Sequence, residues 1–397
     1  MRASSGSAAC GRASRVSDLV SGHAGSVKTA LVLQGGGARG AYQVGVLKAI
    51  AEISARRRSP FQIVCGASAG AINAAPVAVM SEDFGVATGH LEKLWLGLHC
   101  TSVYETRPLK VLLSSSRWAG RLMFGFAGLR ATGGLLDFDP LRQLLEDEFN
   151  RPRLHRAIRA GALHALCITV SSYNQGVAVT YFEGQEGIAD WQRARRLGRR
   201  TRLGPQHLLA SAALSFAFAP VEIDGEYFGD GSLRSTSPLS PAIRTGAEKI
   251  LVIGTRDPWH QVSAAQTPRP APSFGDIAGH ALDILFNDNL EADYERMARI
   301  NNTLAMMPED MRQKSDLRPI SSLLLAPSVD LRDVAVKHAN DLPRTIRILM
   351  KTIGAWHRDG RLESYLMFEP AYISELIELG YADTIARADE VRAFLEG

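Results

Sequence analysis

The feature that most constrains the fold of this chain is an apolar strand that runs through a sharp, glycine-bounded turn into a helix. Residues 61–65 are apolar and β-rich, which is typical of a strand buried on both faces. Residues 69–80 are rich in helix formers. Ser68 lies between them, so the pattern predicts a nucleophile elbow that projects the serine hydroxyl from the sheet edge. Gly66 and Gly70 would relieve the crowding around it.

A G-x-S-x-G string also arises by chance in ordinary Gly/Ser turns that carry no chemistry. Here the strand before the string and the helix after it favour the elbow. The helix would also point its positive end at Ser68, which favours negative charge developing on a substrate oxygen. The segment is therefore predicted to position a serine nucleophile for acyl transfer.

A second glycine-rich turn, at residues 35–40, precedes the elbow and has two interpretations. It lies between an apolar strand at 29–33 and a helix at 41–54, and its glycine spacing also fits the G-x-G-x-x-G of dinucleotide-binding folds. In those folds the next strand ends in an acid for the ribose hydroxyls, but here it ends in Cys65 and the elbow. The pattern therefore favours an oxyanion-binding turn. Its donors would be the backbone amides of Gly36, Gly37 and Arg39, with Gly35 and Gly40 shaping the turn.

A third segment, residues 216–232, supplies a base. It is predicted to form two short strands around an Asp224-Gly225 turn and to deliver a second Asp-Gly pair, Asp230-Gly231, at its end. The Asp230 carboxylate can accept the Ser68 proton if a desolvated site raises its pKa. By itself an Asp-Gly pair is as often only a turn, so this assignment depends on the other two motifs.

The three motifs, in this order, resemble those of bacterial patatin-like phospholipases, which are related in their catalytic domain to plant patatins and cytosolic phospholipase A2. The resemblance covers roughly residues 28–255. It implies that Ser68 is the nucleophile and Asp230 the general base, and that no histidine joins this dyad. It also implies that Gly36, Gly37 and Arg39 donate to the oxyanion. Ser232 stands where the family more often has Gly or Ala.

The resemblance implies a three-layer α/β/α patatin-like fold with a mostly parallel central sheet and a C-terminal helical extension. The implied activity is a serine-dependent lipid acyl hydrolase of the phospholipase A or lysophospholipase type, which needs no cofactor and no metal. A triacylglycerol lipase or an acyltransferase would use the same residues. A non-catalytic lipid-binding protein is a further alternative, and a dinucleotide-binding oxidoreductase is a remote one.

Composition divides the chain into four parts. Residues 1–27, rich in Ser, Gly and Ala, are expected to be a disordered tail, and 28–255 the catalytic core. Residues 256–275 are a proline-rich loop, and 276–397 a mainly helical region packed on the core. Helical patterns are expected over 274–303 and 338–356. With 397 residues, 46% of them hydrophobic, the chain can bury a full α/β core.

The expected partners are a phospholipid or lysophospholipid substrate and, peripherally, a membrane surface. A net charge of +4 is too small to require nucleic acid as a partner.

Residues 117–130 mix large apolar side chains with arginines, which is typical of a lid or membrane-docking element but equally of an ordinary cap. The arginines within 193–202 fit a solvated surface better than a lipid head-group patch. Self-association is possible.

The cysteines and histidines indicate no further chemistry. Cys10, Cys65, Cys100 and Cys167 lack paired spacing and are expected to be reduced, and no histidines have metal-ligand spacing. His280, His338 and His357 are interpreted as surface or packing residues.

The N-terminal segment lacks the apolar core of a signal peptide, and no apolar run is long enough to span a bilayer. The expected location is cytoplasmic, with peripheral membrane contact.

Overall fold

A computed structural model describes residues 27–123, 134–215, 217–256, 271, 273–284, 289–354, 356 and 360–397. The expected N-terminal tail up to residue 26, much of the segment 117–130 and nearly all of the proline-rich loop lie outside these residues, as do Cys10 and His357.

One mixed sheet organises the described part of the chain. Its strands, β1 to β10 in chain order, are Thr29–Leu33, Ile63–Ala67, Ala165–Ser172, Ala178–Gly184, Trp191–Arg193, Arg196–Arg200, Val221–Ile223, Glu226–Gly229, Lys249–Ile253 and Ser321–Leu325. The strand order is β10-β9-β1-β2-β3-β4-β6-β5, and β8 pairs with both β3 and β7. From β10 to β3 every neighbouring pair is parallel, whereas β4 is antiparallel to β3. The predicted mostly parallel sheet is confirmed.

Helices cover both faces of this sheet, as expected for parallel strands joined by crossovers. In chain order, α1 to α17 are Gly40–Ser54, Ala69–Val79, Phe84–Leu96, Cys100–Val103, Pro108–Met123, Asp139–Glu148, Arg151–Arg159, Pro205–Ser211, Ser240–Arg244, Phe274–Asp283, Asn289–Met306, Glu309–Gln313, Leu331–His338, Arg344–Thr352, Arg361–Leu366, Pro370–Ile385 and Ala388–Glu396.

Side chains of β1 alternate between two hydrophobic clusters, which shows how the layers are built. Leu31 and Leu33 join the larger cluster with α1, α2, α3 and the C-terminal helices α13 to α17. Ala30 and Val32 face the smaller cluster with α9 and α11. The sheet is therefore buried on both faces at β1, and the C-terminal helices share the core of the first part of the chain.

One helix expected from the sequence differs in the structure. The pattern at 338–356 predicts one helix, but α13 ends at His338 and α14 begins only at Arg344. Pro343 explains the break, because it disfavours helical geometry at Leu342, whose ψ is 140°. The helix expected over 274–303 corresponds to α10 and α11, and residues 285–288 between them lie outside the described part. Within that part, no helix is both long enough and apolar enough to cross a membrane.

Candidate active site

Ser68 lies where β2 turns into α2. Its φ of 54° is in the left-handed region, so the backbone adopts the strained geometry of a nucleophile elbow. The flanking glycines are required by close approach of neighbouring backbone. A Cβ on Gly66 would lie 2.3 Å from the Gly70 carbonyl oxygen, and one on Gly70 would lie 2.2 Å from that of Leu33. The sequence therefore forces the serine into a tight corner that larger neighbours could not form.

Asp230 and Ser68 are 162 positions apart in the sequence, but their side chains are hydrogen-bonded in the structure. The Ser68 hydroxyl donates to Asp230 Oδ2 at 2.6 Å, and the Ser232 backbone N–H donates to Oδ1 at 2.8 Å. Because Asp230 is fully buried, desolvation raises its pKa from 3.8 to about 6, against the opposing effect of these hydrogen bonds. The carboxylate is thus a stronger base than an exposed aspartate would be. Ser232, the departure from the family pattern, contributes its backbone N–H and also a side-chain hydrogen-bond interaction that lowers the pKa of Asp230, which Gly or Ala could not supply.

Ser211 is a residue whose role the sequence did not reveal. Its hydroxyl accepts a hydrogen bond from the Ser68 backbone N–H at 2.9 Å and donates one to the Thr169 carbonyl at 2.6 Å. All three groups are buried. Ser211 therefore fixes the elbow against β3. The small-residue run Ala210-Ser211-Ala212-Ala213 is recognisable in the sequence. Nothing in it indicates which distant backbone groups the Ser211 hydroxyl binds.

We expect Ser211→Ala to lower kcat/KM by about tenfold, because a small displacement of the nucleophile is costly. Leaving the Ser68 N–H unpaired should also destabilise the fold by about 1–3 kcal/mol. Ester hydrolysis and thermal unfolding would measure these effects. Ser81→Ala is a matched control, since Ser81 is buried and its hydroxyl has no hydrogen-bond partner among the described residues. Equal effects of the two substitutions would contradict the positioning role.

The glycine turn at 35–40 lies beside the elbow. Gly37 has a φ of 56° and lines the same cavity as Ser68. Within the described chain the backbone N–H groups of Gly36 and Gly37 make no hydrogen bond, so they are available to an incoming oxygen. The Arg39 N–H, the third predicted donor, instead donates to the Gly36 carbonyl at 3.1 Å. A tight helical turn accounts for this difference, because it pairs each amide with a carbonyl three residues earlier.

The Arg39 side chain anchors the turn to helices from the C-terminal part of the chain. Its guanidinium is buried, donates to the Ser364 hydroxyl at 2.7 and 2.9 Å, and lies 4.0 Å from the centre of the Tyr365 ring. Asp283 is 3.6 Å away and also accepts a hydrogen bond from the Tyr365 hydroxyl at 2.9 Å. The glycine turn at 35–40 is thus supported by residues from α10 and α15.

A cavity of about 680 Å³, including its open mouth, surrounds the Ser68 hydroxyl; we name it the Ser68 cavity. Ser68, Asp230 and Gly37 belong to its lining, and the remaining lining is almost entirely apolar. The apolar lining side chains include Ile72, Leu94, Trp95, Leu141, Leu144 and Phe218. A single acyl chain next to a polar reacting end matches this arrangement.

The other residues singled out from the sequence lie away from this cavity. His280 contacts Arg361 at 3.2 Å, and His338 contacts Glu375 at 2.7 Å. Cys65 and Cys167 are buried free thiols on paired strands, and burial raises the pKa of Cys65. Among the described residues, no His, Cys, Asp and Glu cluster could hold a metal ion.

The arginine-rich stretch 193–202 forms the β5–β6 edge of the sheet. Arg200 is structural there: its guanidinium donates to the carbonyls of Gly184, Gln185 and Ile188 at 2.8 to 2.9 Å. Arg193 is exposed. The stretch therefore combines a structural arginine with solvated ones.

Comparison with known families decides what this arrangement belongs to. A family model described as patatin-like phospholipase matches residues 31–243, which is more than half of the chain. The chain belongs to the patatin-like phospholipase family. The match includes all three sequence motifs and both members of the Ser68–Asp230 pair. A comparison with curated protein sequences returned no match.

Two solved structures are similar to this patatin-like chain. VipD from Legionella pneumophila has 13% sequence identity and a TM-score of 0.35, with 92% of this chain and 67% of VipD covered. Human GIVD cytosolic phospholipase A2, in complex with the inhibitor methyl gamma-linolenyl fluorophosphonate and terbium chloride, has 14% identity and a TM-score of 0.40. The match covers 93% of this chain but only 59% of the human one.

Proposed function

We propose that this patatin-like protein is a lipid acyl hydrolase of the phospholipase A or lysophospholipase type, with Ser68 as nucleophile and Asp230 as general base. The observation that carries the proposal is the 2.6 Å hydrogen bond between Ser68 Oγ and the fully buried Asp230 carboxylate. Family membership supports a lipid substrate. The apolar cavity beside the hydroxyl supports an acyl ester.

The reaction begins when an ester carbonyl carbon reaches Ser68 Oγ. As the hydroxyl attacks, its proton passes to Asp230 Oδ2, and the negative charge on the carbonyl oxygen meets the free amides of Gly36 and Gly37. The tetrahedral intermediate breaks its bond to the leaving alcohol, which takes the proton from Asp230. Water then attacks the acyl-enzyme with Asp230 again as base, releasing a fatty acid and restoring Ser68.

Esters suit this dyad better than amides. An alkoxide is a better leaving group than an amine anion. It therefore depends less on the efficient proton donation that a histidine-containing triad provides. Triacylglycerol hydrolysis or acyl transfer to another acceptor would follow the same steps, since acceptor choice depends on water access to the acyl-enzyme. The substrate lies in a bilayer or micelle, so the proposal includes peripheral contact with a lipid surface.

A lipid panel tests this function. Purified protein is incubated with phosphatidylcholine, lysophosphatidylcholine and triacylglycerol, and the released fatty acid is measured by mass spectrometry. We expect release from the first two lipids at a rate above that from triacylglycerol. Asp230→Ala protein provides the background. Faster release from triacylglycerol would reassign the protein as a lipase, and liposome binding without any product would refute the enzymatic proposal.

A further inference from the structure

Four arginines from three segments of the chain lie near one another beside the outermost strands of the sheet; we name them the arginine cluster. They are Arg193 and Arg196 of the β5–β6 hairpin, Arg244 at the end of α9 and Arg318 shortly before β10. Arg193 and Arg196 are partners in the antiparallel β5–β6 ladder, so their side chains leave the same face of the hairpin. The tight turn of residues 194 and 195 fixes this pairing.

Hydrophobic packing holds the hairpin and α9 on the same part of the core. The Trp191 ring of β5 stacks on the Phe182 ring of β4, with the ring centres 5.1 Å apart. Phe182 belongs to the smaller hydrophobic cluster and Trp191 packs against it, as do Ala242 and Ile243 of α9. Arg244 directly follows these two residues of α9. The arginines of the hairpin and of α9 are thus positioned by one shared core.

The positive charges of the cluster lack neutralising acids. Partial burial lowers the pKa of Arg244, and the positive charges of its three neighbours in the cluster lower it further. Arg318 is held by α9, because its guanidinium donates to the carbonyls of Ile243 and Ala247 at 2.9 and 3.0 Å. Within the described part of the chain, the side chains of the other three arginines make no hydrogen bond and no ion pair. A bound anion would supply the missing negative charge.

Asp293 lies near the cluster but is already engaged. Burial raises the pKa of Asp293, and the nearby positive charge of Arg196 is among the effects that oppose it. The Asp293 carboxylate accepts a hydrogen bond from the Leu239 backbone N–H at 3.1 Å and pairs with Arg296 at 2.9 Å. Its charge is therefore balanced by Arg296, and the cluster keeps its excess of positive charge.

We propose that Arg193, Arg196 and Arg244 bind a phosphate-bearing anion at this edge of the sheet. Arginine suits this ligand because its planar guanidinium donates two parallel hydrogen bonds to phosphate oxygens. A phosphate monoester carries about −1.5 to −2 charge near pH 7, so it can offset more than one guanidinium. The described lining of the Ser68 cavity contains none of the three arginines. The site therefore goes beyond the proposed hydrolase function and does not depend on it.

A soluble phosphate ester and a lipid head group present this same chemistry, and the experiment compares them. Glycerol 3-phosphate is titrated into the full chain by calorimetry. Vesicles of ether-linked phosphatidylcholine, with and without ether-linked phosphatidic acid, are tested by co-sedimentation. Ether-linked lipids have no carboxylic ester, so binding is measured whether or not the protein is an esterase. Binding in the soluble arm supports a free phosphate ester as ligand, and binding to the phosphatidic acid vesicles alone supports a lipid surface.

Two double variants with the same change in net charge form the decisive comparison. Arg196→Gln with Arg244→Gln removes two charges of the cluster that lie on different elements. Arg58→Gln with Arg153→Gln is the matched control, because both arginines are exposed and neither is among the charges that act on Arg244. We expect the first pair to weaken binding of the phosphate monoester at least about tenfold, and the second to leave it within about twofold.

Thermal unfolding verifies that the variants are folded. Loss of like charges relieves repulsion, so the cluster variant should unfold at or slightly above the wild-type temperature at low salt. Three results would overturn the proposal: no binding in either arm, equal losses in the two double variants, or equally strong binding to phosphatidylglycerol vesicles of the same total charge. Any of them would show an ordinary solvated surface instead of a phosphate site.

Discussion

Ser68→Ala is expected to reduce ester hydrolysis by at least about a thousandfold, because the acyl-enzyme can no longer form. The fold should survive. Alanine keeps the Cβ that serine already carries at φ 54°, and the Ser68 backbone N–H can still donate to Ser211. The lost contact is the hydroxyl's bond to Asp230, which leaves Oδ2 of a buried carboxylate without that donor.

The measurement combines turnover with covalent labelling. A fluorophosphonate should add one mass increment to the wild type, located by peptide mapping at Ser68, and none to Ser68→Ala. Circular dichroism and thermal unfolding would verify that the variant is folded. Ser81→Ala, which changes a buried serine outside the cavity, should label and turn over like the wild type. Full activity of Ser68→Ala, or labelling at another serine, would contradict the proposed nucleophile.

Local patterns in the sequence were sufficient to predict the parts of the site that lie within one turn of chain. The strand at Thr29–Leu33 and the elbow at Ser68 have the predicted positions, because strand composition and glycine spacing act over a few residues. Asp224 and Gly225 both have positive φ, as the predicted turn between β7 and β8 requires. These features follow from steric rules that neighbouring residues decide.

The supports of the site could not be predicted in this way. Arg39 and Ser364 are separated by 325 positions, and Ser68 and Ser211 by 143. A hydrogen bond between distant elements leaves no period or spacing in either segment, so neither partner indicates the other. The glycine turn was predicted from its composition, but the use of the Arg39 amide within the turn depends on its helical geometry. The local conformation of the turn, which composition alone does not specify, therefore determines which predicted donors stay free.

The anchoring of Arg39 also connects the two parts of the chain. The family match ends at residue 243, yet Asp283 and Ser364, which hold the Arg39 guanidinium, lie beyond it. A buried guanidinium needs such partners, since an unpaired buried charge is strongly unfavourable. The C-terminal helices are consequently part of the structural support of the glycine turn at 35–40, the proposed oxyanion turn, as well as of the hydrophobic core.

Asp230 is expected to govern the pH dependence of the reaction. With a pKa raised to about 6 by burial, its carboxylate is mostly protonated below pH 5 and mostly ionised above pH 7. The base works only when ionised, so kcat/KM should rise with pH through about 6 and then level off. Asp230→Asn should lower kcat/KM by about a thousandfold or more across this range. A wild-type profile that levels off near pH 4 would show an ordinary, unperturbed carboxylate.

The same pKa predicts an opposite effect on stability. Asp230 binds its proton more tightly in the folded state than in the unfolded chain, where the pKa is near 3.8. The stability from this difference is fully present below pH 3.8 and is lost as pH rises through about 6; about two pKa units correspond to roughly 3 kcal/mol. Asparagine stays neutral and avoids that loss. Asp230→Asn should therefore unfold at a higher temperature than wild type at pH 8, with the difference shrinking towards pH 4.

Comparing the two proteins at each pH removes the contribution of every other titrating group, since all the rest are shared. A stability difference that does not change between pH 4 and pH 8 would show that the folded pKa of Asp230 is close to its unfolded value. We expect Asp230→Asn to be inactive, and to be more stable than the wild type only at pH values where the wild-type carboxylate is charged. Both results have the same physical cause. Burial that makes Asp230 basic enough to take a serine proton also makes its charge unfavourable in the folded protein.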